Sequence, residues 1–285
     1  MKILSLNVNL SCVENKIHKQ LLMKVGEFVT ERTIYSVMTD EELVPYRTHA
    51  EKLKIIFSEY DVICLQECME QWQEILTDIC KDIFPHMYSP KILNVPGDHC
   101  VMCDRNMCPY RTFGWGNVFD GHISADVCVL SRIEFQDTLC VELPREGIMA
   151  HGVNTSIGVK VMGIWIFTCH FSSTYTDGLK YVRILDSTDM EYLQRRQMVA
   201  IYDEIRTKER WIMIGDTNVG ITDYNYGYLE TLFGTNLQTQ FTYSCVDPYL
   251  CLDHVFSNLD NLSYPIVHDM IHVSDHNGVS VDVTG

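Results

Sequence analysis

From Trp211 to Gly285 the chain has no lysine or arginine, against nine aspartates and glutamates. That stretch supplies more than half of a net charge of −16. Tracking a long duplex takes several cationic contacts to phosphate, so this quarter of the chain excludes extended groove binding. It does not exclude work on one phosphate, provided a divalent cation supplies the positive charge. Long apolar runs are missing as well, and no window approaches the roughly 18 consecutive apolar residues of a membrane span. The first residues lack the order of a secretory signal, so the expected location is intracellular, in cytoplasm, nucleus or both; no basic import cluster selects between them. No repeat, low-complexity tract or Pro/Ser linker divides the 285 residues, and one domain is expected.

Twelve cysteines are present. Cys64, Cys128, Cys140 and Cys169 fall inside strand-like apolar runs, where thiols behave as small hydrophobes. A chain of this size does not need disulfide staples, and they are read as mostly reduced. His99, Cys100, Cys103 and Cys108 form a separate cluster with enough ligands for tetrahedral zinc. No second Cys-x2-Cys accompanies it, which favours plain loop thiols.

The opening MKILSLNVNL alternates apolar residues and ends in Asn7 and Asn9, a buried strand with two carboxamides at its tip. Periodicity predicts helices over about 15–32, 46–58, 72–83 and 189–208. Strand-like runs fall at 61–67, 125–130, 138–143, 165–169, 211–215, 252–256 and 279–283. Residues from about 91 to 121 are irregular and rich in Cys, Gly and Pro, an expected surface insertion. Mixed strands and helices imply a layered α/β architecture with sheet inside.

The strands share one peculiarity. They end in Asn7, Gln66-Glu67, His170, Asp216 with Asn218, Asp253-His254 and Asp275-His276. Each has an ordinary explanation: a solvated strand end for Glu67, a hydrogen-bonded His170, turn-forming Asn7, Asp216 and Asn218, a cap for Asp275. Together they are harder to dismiss, because ionised groups at buried strand ends are costly unless something binds them.

The motifs LSLNVN at 4–9, LQE at 65–67, TCHFSS at 168–173, IGDTNV at 214–219, LDHVF at 252–256 and SDHNGV at 274–279 resemble, in order, those of the endonuclease/exonuclease/phosphatase superfamily. The resemblance implies an α/β (α+β) four-layer sandwich of two mixed β-sheets flanked by helices. It implies a single catalytic domain over 1–285 that hydrolyses a phosphodiester by in-line attack of activated water. Glu67 would hold Mg²⁺ (or Mn²⁺), with Asn7 and Asp275 nearby. Asp216 would position or deprotonate the water and Asn218 orient the phosphate. His276, held by Asp253, would contact the phosphoryl oxygens, and His170 would stabilise charge or assist the leaving group. Asn9, Gln66, Asn117 and Arg196 would contact substrate. A hard divalent ion does prefer carboxylate and water oxygens, and it offsets charge on a phosphate in flight.

Two positions depart from the pattern. Asn9 stands where abasic-site enzymes commonly have Asp, and His254 where many relatives have an aromatic residue or Arg; His254 is read as strand packing first. A His at 170 is similar to deoxyribonucleases, sphingomyelinases, deadenylases and tyrosyl-DNA phosphodiesterases of the second type, and the Arg195-Arg196-Gln197 run resembles the last group and sphingomyelinases alike. The Thr of GDTN and FTYS at 241–244 are similar to the tyrosyl-DNA phosphodiesterases. They favour a nucleic-acid end or protein–DNA adduct as substrate. A sphingomyelinase-like action on membrane lipid is the alternative, with Pro109–Trp115 as a membrane-touching loop. A third reading is a catalytically idle binding module, which intact residues at every motif argue against.

Overall fold

A computed structural model describes residues 1–8, 39–68, 70–92, 123–124, 127–144, 155–172, 187–238, 240–243, 250–270 and 272–284. The strand β1 (Lys2–Asn7) runs parallel to β2 (Val62–Gln66), and the helix α1 (Asp40–Phe57) lies between them in sequence. The helix α2 (Glu70–Cys80) follows, then β3 (His86–Tyr88), the short pair β4 (Lys91–Ile92) and β5 (Ile123–Ser124), and β6 (Cys128–Ser131). The second half comprises β7 (Asp137–Glu142), β8 (Thr155–Val161), β9 (Ile164–Cys169), α3 (Ser187–Ile205), β10 (Trp211–Asp216) and α4 (Tyr226–Phe233). It closes with β11 (Asp253–Ser257), β12 (Ile266–His268) and β13 (Gly278–Asp282). Among the described residues no helix is long and apolar enough to cross a membrane.

Two sheets carry the fold. One has the order β12-β13-β1-β2-β6-β3, the other β11-β10-β9-β8-β7. Strand alternation sends successive side chains to opposite faces. In β1, Ile3 faces the second sheet while Leu4 and Leu6 face α1 and α2. In β10, Ile212 and Ile214 face the first sheet while Met213 faces α3 and α4. The result is four layers around three apolar clusters: helices on the first sheet, sheet on sheet, and helices on the second. Each fully buried Leu, Ile or Phe in them contributes about 1.5–3 kcal/mol.

The helix expected from Tyr46 begins at Asp40 instead. Thr39 caps it reciprocally with Glu42, and three acids in its first turn complement the helix dipole. This start outweighs Pro45, which forgoes one backbone hydrogen bond inside the helix. The expected helix at 15–32, most of the insertion at 91–121 and the His99/Cys100/Cys103/Cys108 cluster lie outside the described residues.

Candidate active site

Alternation that puts Ile3 between the sheets puts Asn7 there too, at the end of the strand. By the same parity Gln66 follows Val62 and Cys64, Asp216 follows Ile212 and Ile214, and Asp253 precedes Val255. Parallel pairing aligns the ends of β1 and β2, where Asn7 faces Gln66, and carries β9 and β10 on to a bridge between His170 and Asp216. Antiparallel β11 begins where β10 ends, with Asp253 opposite Asp216. Gly215 permits the close approach of β9, since a Cβ there would meet the Cys169 carbonyl at 2.8 Å. Both sheets therefore deliver polar side chains to one end of their shared interface.

Asn7 Nδ2 donates to Asp216 Oδ2 at 2.9 Å and to Glu67 Oε1 at 3.2 Å. His170 Nε2 lies 3.6 Å from Glu67 Oε1 and 3.8 Å from Asp216 Oδ2. On the other side of Asp216, His276 Nε2 is 3.8 Å from the same Oδ2, and its Nδ1 is 2.9 Å from Asp253 Oδ2. Asn218 N donates to Asp216 Oδ1 at 2.8 Å, and Asn218 Nδ2 donates to the Phe171 carbonyl. The Tyr243 ring stands edge-on to His276, centroids 4.9 Å apart. Glu67 and Asn218 both take left-handed backbone, φ 52° and 50°. That conformation costs a glutamate roughly 1–2 kcal/mol, and such strain collects at functional sites.

Burial dominates the electrostatics. It pushes the Asp216 carboxyl up to about 6, with the Asp253 carboxylate adding to the rise, while His276, His170 and the Asn7 amide act against it. Burial alone would lower His276, but the Asp253 charge and hydrogen bond, with Asp216 and Asp275, outweigh it and raise the imidazole to about 10. At neutral pH His276 is a cation lodged between two aspartates.

A sequence profile described as the Endonuclease/Exonuclease/phosphatase family matches residues 4–276. The chain belongs to that family. No curated protein sequence matches it significantly. Solved structures share its fold at low identity. Sphingomyelinase C from Streptomyces griseocarneus superposes with TM-score 0.58 at 15% identity, covering 100% of this chain and 99% of that one. A humanized D. rerio TDP2 gives 0.57 at 14%, covering 99% and 97%. A Staphylococcus aureus beta toxin mutant with bound magnesium ions gives 0.53 at 11%, covering 99% of each chain.

Among the described residues, two sets of ligand atoms lie within 4.8 Å of one another: Glu67, His170 and Asp216, and Asp216, Asp253 and His276. Asp216 belongs to both. Two carboxylates converging on one Asn7 amide repel each other unless a cation or a proton intervenes. Oxygen donors of that charge suit a hard divalent ion, and His170 supplies a nitrogen that Mn²⁺ also accepts. Asp275 is buried beside His276 and acts on its charge, yet it belongs to neither ligand set.

Other expected residues fall elsewhere. Gln66, expected to contact substrate, is fully buried and donates to Thr168 Oγ1 at 2.7 Å and Ser5 Oγ at 3.1 Å. Parity turns it into the sheet interface, where it ties the two sheets together below the acidic cluster and is closed to substrate. Arg196 is exposed on α3, its guanidinium 5.9 Å from the Tyr192 ring. His254 points away from the cluster into the helical layer, between Val219 O and Asn236, consistent with packing. Asn9, Asn117 and the loop Pro109–Trp115 lie outside the described residues.

The structure adds buried amides that motif reading passed over. Gln194 Nε2 donates to the carbonyls of Ser172 and Asn218, and Gln194 Oε1 accepts from Asn225 Nδ2. Gln197 accepts from Ser172 N and donates to Ser172 Oγ. One helix thereby holds the loops that follow His170 and Asp216. Thr242 Oγ1 accepts from the backbone of Leu252 and Asp253, and Ser274 Oγ donates to the Asn7 carbonyl. A buried Gln pair at i and i+3 on an otherwise apolar helix face was the available signal.

Proposed function

We propose that the protein is a divalent-metal-dependent phosphodiesterase acting on a nucleic-acid end or protein–DNA adduct. The observation that carries this reading is the Asp216 carboxylate, shared by the two ligand sets and kept basic in a buried pocket. Glu67 would hold the metal ion, with Asn7 and His170 beside it. Mg²⁺ or Mn²⁺, when bound, neutralises charge on the phosphoryl group. Asp216 accepts a proton from the attacking water, and the Asn218 backbone N–H fixes its second oxygen for that task. His276 donates from Nε2 to a phosphoryl oxygen while Asp253 holds Nδ1–H and keeps the ring charged. His170, facing both Glu67 and Asp216, steadies the leaving oxygen. Asn7 keeps the two carboxylates apart without adding charge.

Substrate choice within this chemistry favours single-phosphate ends, given the acid-only stretch from Trp211 onward. The test is a panel of 5′-tyrosyl single-stranded DNA, abasic duplex, poly(A) RNA, sphingomyelin and inositol phosphates, each with Mg²⁺, Mn²⁺ or EDTA. Hydrolysis of the tyrosyl DNA with metal, and its loss in Asp216→Asn, is the expected result. Preference for sphingomyelin would transfer the reading to the lipid branch. No hydrolysis of any member, or full turnover by Asp216→Asn, would overturn it.

A further inference from the structure

One face of α3 carries exposed Tyr192 and Arg196 and half-buried Arg195, the two arginines lying three and four residues from Tyr192 and hence its neighbours on the helix surface. The Arg195 guanidinium lies between two rings, 4.7 Å from the Tyr224 centroid and 5.3 Å from that of Tyr228. Its Nε donates to Asn225 Oδ1 at 2.7 Å. Arg196 stands over Tyr192. Tyr224 is 73% exposed and Tyr192 59%, so both offer ring surface to solvent. The cluster is wired to the acidic pocket, because Asn225 bonds Gln194 and Gln194 bonds the Asn218 carbonyl. A single carboxamide separates the anchor of Arg195 from the catalytic loop.

We propose that this Tyr–Arg face binds a single-stranded nucleic acid, stacking the bases next to the phosphate in the pocket. The inference rests on the phosphodiesterase reading and adds where the strand lies. Flat π surfaces beside fixed cations are what an unpaired strand recognises: bases stack on the rings and phosphates meet the guanidiniums. The two arginines stand out because no lysine or arginine occurs from Trp211 onward. A lipid surface suits the face less well. Arg195 is pinned through Asn225 and flanked by rings, so it cannot bend its charge away from the acyl chains as interfacial arginines do.

The test uses fluorescein-labelled oligo(dT) in anisotropy titrations, with EDTA present so that nothing is hydrolysed. It is paired with kinetics on the p-nitrophenyl ester of thymidine 5′-phosphate, with and without an oligo(dT) tail on its 3′ side. Tyr224→Ala and the double variant Tyr192→Ala/Tyr224→Ala should bind the oligonucleotide roughly tenfold more weakly. The KM for the tailed ester should rise by the same factor, with kcat and the untailed ester unchanged. Unaltered oligonucleotide binding in the double variant would overturn the proposal. So would loss of binding to phosphatidylserine vesicles with oligonucleotide binding intact, which would make the face a lipid contact. If the wild-type protein cleaves neither ester, the phosphodiesterase reading fails, and the anisotropy arm still decides whether the face binds a strand.

Discussion

Asp216 and Asp253 are direct register partners on β10 and β11, and the His276 imidazole bridges them. Two acids paired across neighbouring strands would repel; the histidine between them turns the repulsion into a holding force. Asp253 keeps the ring charged and aimed, and the ring in turn helps keep Asp216 ionised.

Asp253→Asn separates the two effects. The amide oxygen still accepts Nδ1–H, but the charge that most raises His276 against burial is gone. The imidazole pKa falls from about 10 and the ring becomes neutral at lower pH. We expect kcat to drop about a hundredfold, with an alkaline limb entering the pH–rate profile near neutrality where wild type is flat. A uniform loss across pH 6–9 would instead mean a purely geometric role.

Asp216→Asn trades stability against activity. A folded-state pKa of about 6 against an ordinary 3.8 means the folded protein binds more protons in that window. Stability therefore falls as pH rises through it, and the full penalty stands above about 6. Without metal at pH 8 the asparagine variant should be the more stable, by on the order of 3 kcal/mol, while turnover is lost. Mg²⁺ should raise the Tm of wild type and, by a smaller amount, that of the variant, which keeps Glu67 and His170 but loses one carboxylate of that set. Thermal melts with Mg²⁺ and with EDTA read both.

The strand ends were legible because their polar residues interrupt apolar alternation, and parity alone sends Asn7, His170, Asp216 and Asp253 to one interface. The six ordered motifs then named the fold. What stayed hidden was polar pairing across sequence distance: Gln66 reads as a site residue until Ser5 and Thr168 are seen on the same face. β8 escaped although it is an inner strand of its sheet, for TSIGVKV breaks its apolar run with Gly158, which packs against the Phe167 ring of β9. The start of α1 was hidden by Pro45, since a proline normally marks a boundary rather than a second turn.

His254 is fully buried, its Nε2 bonded to the Val219 carbonyl and its Nδ1 accepting from Asn236. Asn236 Nδ2 also donates to the Gln238 carbonyl, so it must be the donor to the ring. Burial lowers the pKa below the ordinary 6.5, and protonation would break that bond. The unfolded chain takes up a proton below about 6.5 and the folded one does not, so this histidine costs stability as pH falls. His276 acts in the opposite sense over the same range, which masks the effect in wild type alone. The stability advantage of wild type over His254→Gln should therefore shrink between pH 7.5 and 5.5, as read from urea unfolding at each pH.

Gln194 makes the last case, because it lies outside the proposed catalytic set yet bonds both loops that follow His170 and Asp216. Its Nε2 holds the carbonyls of Ser172 and Asn218, two residues beyond His170 and Asp216 respectively. Gln194→Ala leaves those buried carbonyls and the Asn225 amide short of a partner, costing about 1–3 kcal/mol. It also frees the loops to drift independently, and a misplacement near 1 Å in a catalytic pair is worth about a hundredfold in rate. We expect kcat to fall by roughly ten- to a hundredfold, with Mg²⁺ affinity changed far less, since Glu67 and Asn7 sit on the other sheet. Faster amide exchange confined to residues 170–172 and 216–219 would accompany the loss. Full activity with that exchange pattern would show the two loops to be positioned by the sheets alone.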